Sequence, residues 1–165
     1  MHIRPETAAD CEAITRVHRA AFPAPDEATL VNQLREKGNL TISLVAEDED
    51  LIAGHIAFSP VTIDGTPGGL GLAPVAVLPE HQRQGIGQQL IRAGIEKANE
   101  LGVGYLVVLG HRDYYPQFGF KTASEWQLGN EYDAEEGFMA MELVPGAIPA
   151  QGGMVKYGKE FGLFS

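Results

Sequence analysis

The sequence predicts an α/β domain in which a mixed sheet is flanked by helices. Three observations carry this. Apolar residues recur at helical spacing in three stretches, two alternating segments meet across an acidic turn, and a mid-chain helix leads into a continuous apolar run at residues 105–109. With 165 residues, 44% hydrophobic and 21% charged, the chain can bury one core and is short for two domains. Residues 1–144 are expected to form the domain. Residues 145–165, with Pro145, Pro149 and five glycines, are expected to be a tail packed on it or on a neighbouring subunit, leaving a homodimer open.

Residues 2–4 are the first strand candidate. Thr7 then reads as a helix N-cap with Asp10 in a variant capping box, and Cys11, Ile14, Val17 and Ala21 give the first helix a core face. Phe22-Pro23-Ala24-Pro25 ends it. Asp26 reads as the cap of a second helix, with Leu30, Val31 and Leu34 on one face and Gly38 as its left-handed stop. Residues 41–47 and 51–63 read as an antiparallel hairpin, since Ile52, Ile56 and Phe58 alternate with Ala53, His55, Ala57 and Ser59. The glycine-rich stretch 64–69 reads as a turn into a third long strand, 70–78.

A helix over residues 85–101 places Ile86, Leu90, Ile91, Gly94, Ala98 and Leu101 on one face. Its continuation into 105–109 makes a right-handed strand–helix–strand crossover with a parallel neighbour. Residues 113–118 can form one helical turn closed by Gly119. Residues 120–123 and 137–143 read as the last two convincing strands, and the tail holds at most one more, near 155–157.

Composition removes several function classes. A net charge of -10 opposes nucleic-acid binding, which needs a cationic surface to displace counterions, and suits a cationic partner better. The longest apolar stretches are broken by glycine or proline and fall short of the roughly 20 residues of a membrane-spanning helix. The polar N-terminus lacks a signal-peptide core, so a cytoplasmic protein is expected. Cys11 is the single cysteine, which excludes an internal disulfide and a thiolate metal cluster. The acidic run Glu47-Asp48-Glu49-Asp50 reads as a solvated hairpin tip, and no metal is expected.

The informative stretch runs from Val75-Ala76-Val77 through Gln82-Arg83-Gln84-Gly85-Ile86-Gly87-Gln88, where a strand, a turn and two alternate glycines open an amphipathic helix. A helix N-terminus offers unpaired N–H groups and partial positive charge, glycines let a pyrophosphate approach them, and Arg83 adds a full charge. Two competing phosphate motifs fail. No Gly-Lys-Ser/Thr occurs, and the dinucleotide fingerprint lacks its third glycine, because position 90 is Leu90, as well as its acid on the following strand.

Gln82, Gly85 and Gly87 fit the Gln/Arg-x-x-Gly-x-Gly/Ala signature of the GNAT acetyltransferase superfamily, and Tyr115-Pro116-Gln117-Phe118-Gly119-Phe120 fits its Tyr-x-x-x-Gly-Phe mark. Residues 40–144 resemble that family's core. The resemblance implies a GNAT fold: a mixed sheet of about seven strands and about four helices, with the two central parallel strands splayed apart. It implies that Val75, Ala76 and Val77 face the pantetheine and acetyl group of acetyl-CoA, the co-substrate, with the Val77 amide toward the developing oxyanion. Gln82, Arg83, Gln84, Gly85, Ile86, Gly87 and Gln88 would hold the pyrophosphate, and Tyr115 would give a proton to the departing thiol as a primary amine, on a small molecule or peptide, attacks directly.

Two positions depart from the family pattern. Val108 stands where many relatives carry an asparagine that meets pantetheine, and residues 70–78 and 105–109 contain no acid to serve as base. His55, His111, Glu125 or water remain candidates for that role. The first two helices and the hairpin loop near Asp64 are expected to form the acceptor pocket. An acyl-CoA-binding regulator that keeps the fold and lacks turnover is the alternative, and a nucleotide-binding oxidoreductase is disfavoured by the missing glycine and acid.

Overall fold

Two tight turns set the register of half the sheet in the computed structural model of the chain, which describes residues 1–132 and 137–164. Strands β2 (Ile42–Asp48) and β3 (Leu51–Ile63) pair antiparallel across a turn at Glu49, and β3 pairs with β4 (Thr66–Val77) across Asp64 and Gly65. Glu49, Asp64 and Gly65 all have positive φ, the twist a two-residue hairpin needs. The stretch 64–69 is therefore not one long turn, because its last four residues already belong to β4, with Thr66, Pro67 and Gly69 paired to β3.

β1 (His2–Pro5) lies outside β2, β5 (Tyr105–Leu109) runs parallel to β4, and β8 (Phe138–Glu142) and β6 (Lys121–Thr122) complete the order β1-β2-β3-β4-β5-β8-β6. β9 (Gly153–Tyr157) takes the edge of β3 that β2 leaves after Phe58, pairing Val155 with Ile63 and Tyr157 with Val61. β7 (Leu128–Asn130) runs parallel to β9. The fold class is as expected, with nine strands among the described residues: β6 lies within the stretch 120–123 read as a strand, β9 is the one tail strand allowed near 155–157, and β7 is too short to show a period. The last tail residue, Ser165, lies outside the described residues.

Helices α1 (Cys11–Ala21) and α2 (Asp26–Glu36) cover one face of the sheet, with Ile14, Val17 and Val31 against Val45, Ala57 and Ala76. Helix α3 (Ile86–Glu100) covers the other, where Ile86, Leu90, Ile91 and Ala98 meet Leu44, Ile56 and Leu72. The approach is closest at Gly94, where a Cβ would lie 2.3 Å from the Phe58 ring. Three details differ from the sequence reading. Asp26 is the first helical residue and Pro25 precedes it as cap. Cys11 is only half-buried. Leu101 is exposed because the helix ends at Glu100 and the chain turns away at Gly102.

Between α1, α2 and the sheet runs a buried polar chain. His18 Nε2 and His55 Nδ1 are 2.7 Å apart, His55 Nε2 lies 2.8 Å from Ser43 Oγ, Ser43 donates to Glu6, and Glu6 takes a bidentate ion pair from Arg35. Because the Ser43 hydroxyl gives its proton to Glu6, His55 must donate to that hydroxyl and accept from His18. Both rings are then neutral. Burial, and secondarily the Arg35 charge, hold His18 down to about 4, while burial and the neighbouring His18 push His55 the same way.

The unfolded chain takes up these protons near the ordinary imidazole value of about 6.5. Stability is thus complete above that value and declines as pH falls toward about 4, where folded His18 titrates. Urea titrations between pH 7 and 4.5 should show the midpoint falling, with a shallower slope in His18→Phe. Equal slopes in the two proteins would show that the pair is not the source.

Candidate active site

β4 and β5 pair at only three positions, Gly69 with Tyr105, Leu70 with Leu106 and Gly71 with Val107. Immediately beyond, β4 gains one residue against β3, between the pairs Phe58–Leu72 and Ile56–Val75, so that Ala73 and Pro74 form a bulge. Proline brings no N–H to a ladder there. β5 stays fastened on its other side, Val108 to Met139 and Leu109 to Phe138. The two strands part, and a cavity of about 650 Å³ opens between Leu72, Ala73, Pro74 and Val75 on one side and Leu109, Gly110 and His111 on the other.

At the end of β4 the chain makes a 3-10 turn, Pro79–His81, and enters α3 through Gly85. Gly85 has φ +83 and open space where a Cβ would stand, so backbone conformation rather than crowding requires glycine there. Arg83 also takes a positive φ, and the side chains of Gln82, Arg83, Gln84 and Gln88 are exposed. Ile86 is different. Its side chain is core, packed with Leu90 and Ile56, leaving only its backbone toward the helix mouth. Gln82 turns back and donates from Nε2 to the Val77 carbonyl at 3.0 Å, clamping the loop to the strand.

Along β4, Val75 and Val77 pack toward the α3 side and Ala76 toward α1. Val75 borders the larger cavity and also a second hollow of about 230 Å³, which it shares with Ala76, Val77, Gln82, Gly87 and Tyr114. The two tyrosines divide between these spaces. Tyr114 reaches Gly87, whose Cβ would lie 3.5 Å from the phenol oxygen, whereas Tyr115 borders the larger cavity. Tyr115 is seated by ring contacts to Phe120, Tyr114 and Phe118, with centroids at 5.8, 5.2 and 6.2 Å. Burial, with Tyr114 second, pushes its phenol up to about 12.

Of the three side chains considered as bases, His111 alone borders the cavity. His55 is enclosed in the chain with His18 and Ser43, and Glu125 is exposed elsewhere. Asp64 does not reach the cavity either. It binds the Met154 amide at 2.9 Å and so fastens β9. No helix among the described residues is long and apolar enough to cross a membrane.

Residues 39–122 match the family described as Acetyltransferase (GNAT) domain. The whole chain is 36% identical to the uncharacterized N-acetyltransferase YhbS of Escherichia coli K12 over 167 aligned residues, covering 99% of this chain and 100% of that one. The chain belongs to the GNAT acetyltransferase family. Among solved structures, YhbS from Escherichia coli in complex with CoA superposes with TM-score 0.95 at 35% identity over 99% of this chain and 93% of that one. A GNAT family acetyltransferase from Brucella melitensis in complex with acetyl-CoA gives TM-score 0.83 at 39% identity, covering 97% of each. The GNAT fold and an acetyl-CoA-dependent acyltransferase class are therefore both in hand.

Within this GNAT site, sequence reasoning missed the glycines that position rings. A Cβ on Gly110 would lie 2.2 Å from the Tyr115 ring, and one on Gly69 would lie 2.1 Å from the ring of Tyr105. Gly69 reads from the sequence as part of a turn and Gly110 as nothing in particular, and the signal is a contact between residues that only the fold brings into register. Gly110→Ala should therefore cost about 1–3 kcal/mol, as overpacking does, and turn Tyr115 out of its seat. A urea titration reads the first effect and NMR ring contacts between Tyr115 and Phe120 the second; an unmoved ring would show that the seat has slack.

Proposed function

We propose that this GNAT enzyme moves the acetyl group of acetyl-CoA to a primary amine by direct attack within a ternary complex. The observation that carries the reading is the parting of β4 from β5 with Tyr115 bordering the gap. From Leu72 onward the edge of β4 that faces β5 has no strand partner among the described residues, so its peptide groups suit the amides of a pantetheine arm. Val75, Ala76 and Val77 supply that edge. The amides of Arg83, Gln84, Gly85, Ile86, Gly87 and Gln88 surround the mouth of α3, where partial positive charge suits a pyrophosphate. Gln82 supports the loop through its bond to the Val77 carbonyl. Relatives solved with CoA and acetyl-CoA support the same choice of co-substrate.

The chemistry needs a neutral amine and a proton for sulfur. The ammonium loses its proton before attack; β4 and β5 bring no carboxylate to the cleft, which leaves water or His111, the one candidate base that borders the cavity, to take it. The nitrogen lone pair then forms the C–N bond to the thioester carbonyl carbon, and the C–S pair leaves with sulfur. Tyr115 protonates that sulfur and recovers a proton from solvent, so the products are an amide and a free thiol. Held up to about 12, the phenol stays protonated at neutral pH. Burial disfavours a bare thiolate in the same cleft as well, so the transfer between the two stays near balance.

Gly85→Val forces a β-branched residue into the left-handed region at the helix mouth. Acetyl-CoA should bind at least tenfold more weakly by isothermal titration, about 1.4 kcal/mol, and an unchanged affinity would count against this loop as the phosphate site. Tyr115→Phe keeps the ring and removes the proton. Its kcat should fall about a hundredfold or more with the KM for acetyl-CoA within a few fold, and the loss should shrink with acyl donors whose thiols are more acidic. Full turnover in the mutant, or the loss appearing in Tyr114→Phe instead, would reassign the acid. Coenzyme binding without thiol release from any amine would favour an acyl-CoA-binding regulator.

A further inference from the structure

The larger cavity has a second wall, away from β4, β5 and the loop, that comes from the two ends of the chain. Phe22 follows α1, Glu27 lies in the first turn of α2, Tyr132 follows β7, Tyr157 closes β9, and Phe161 and Phe164 sit on the 3-10 turn Lys159–Phe164. The rings brace one another. Tyr157 stands 4.9 Å from Phe161 and 6.2 Å from Tyr132, Phe164 stands 6.4 Å from Phe161, and the Tyr132 hydroxyl donates to the Phe161 carbonyl at 3.2 Å. Phe161 is itself buried against Leu30 and Leu34, which anchors the wall to α2.

Among the described residues the charge on this lining is one-sided: Glu27 is the one carboxylate, no lysine or arginine contributes, and His111 stands on the β5 side. Glu27 has no hydrogen bond or ion pair with another described residue, although a carboxylate at the edge of an apolar cavity gains from a cationic partner. Aromatic faces attract a cation and an apolar body alike. A carboxylate on the acceptor would meet no lysine or arginine among the described lining residues, and the further charges of a polyamine would lose water against rings with one described acid to offset them. A volume of about 650 Å³ shared with the acetyl end suits a small molecule.

We propose that this wall is the acceptor subsite and that the acceptor is a primary amine carried on an aromatic or other apolar group, without a carboxylate. The proposal rests on the acetyl-transfer reading, with Glu27 binding the ammonium head and the rings holding the body.

The test is steady-state acetylation with acetyl-CoA, reading thiol release and product mass, with 2-phenylethylamine, tyramine, phenylalanine and spermidine as probes. The first two should show kcat/KM at least about tenfold above the last two. Glu27→Gln should raise the KM for 2-phenylethylamine about tenfold and leave the KM for acetyl-CoA within about twofold, because it removes a contact to the amine and none to the coenzyme. Phe164→Ala, which trims an exposed ring and so spares the fold, should raise the same KM severalfold. A preference for phenylalanine or spermidine, or an unchanged amine KM in Glu27→Gln, would overturn the subsite while leaving acetyl transfer intact. No product from any amine, with acetyl-CoA still bound, would overturn both.

Discussion

The site depends on a sheet that is only partly zipped. Parallel pairing between β4 and β5 covers three residues a side, and it stops where Ala73 and Pro74 add a residue to β4. A continuous ladder would satisfy the peptide groups on both strands and leave no space between them. The bulge and the proline make that ladder unavailable, while β3 and β8 hold the two strands in place from outside. What results is an edge of rigid backbone facing a void. Such an edge can recognise an extended amide-bearing arm without side-chain specificity, which explains how apolar Val75, Ala76 and Val77 could serve a polar ligand.

The opening is kept in shape by close packing at glycines. Gly94 lets α3 settle against Phe58, Gly69 accepts the Tyr105 ring at the closed end of the fork, and Gly110 accepts the Tyr115 ring at the open end. Each pairs a missing side chain on one element with an aromatic ring from another, so ring position is set by backbone rather than by flexible neighbours. Tyr115 gains most from this. Its ring has little freedom to turn among Gly110, Tyr114 and Phe120, which suits the role of proton donor proposed for it.

Much of this was legible in the sequence wherever local rules apply. The hairpin of β2 and β3, the core faces of α1 and α3, the glycine-opened helix mouth and the Tyr-x-x-x-Gly-Phe turn each have a short-range cause: alternation, helical period, or a backbone angle that only glycine adopts easily. What stayed hidden rests on register between distant segments. His55 alternates with apolar neighbours like any strand residue, and nothing local says that His18 and Ser43 will meet it. The run 64–69 looks like a loop by composition, yet Thr66, Pro67 and Gly69 pair with β3, and Gly69 also with β5. The tail shows weak periodicity because β9 is held by the edge of β3 that β2 vacates.

That tail also explains how one scaffold can separate its two recognition tasks. The family match spans residues 39–122, and within it lie Leu72 to Val75, Leu109 to His111 and Tyr115, the parts of the cavity nearest the proposed coenzyme path. The aromatic wall lies outside it on both sides, with Phe22, Glu27 and Leu30 before and Tyr132, Tyr157, Phe161 and Phe164 after. β9 carries the late segment back to β3, and Asp64 locks it there through the Met154 amide, so the chain's end returns to face its beginning across the cleft. If that wall is the acceptor subsite proposed above, changes in it alter which amine fits without disturbing the strand edge or the helix mouth. On the proposed reading, selection of the acceptor and handling of the acyl donor fall to different stretches of one chain, joined by a cavity to which both contribute.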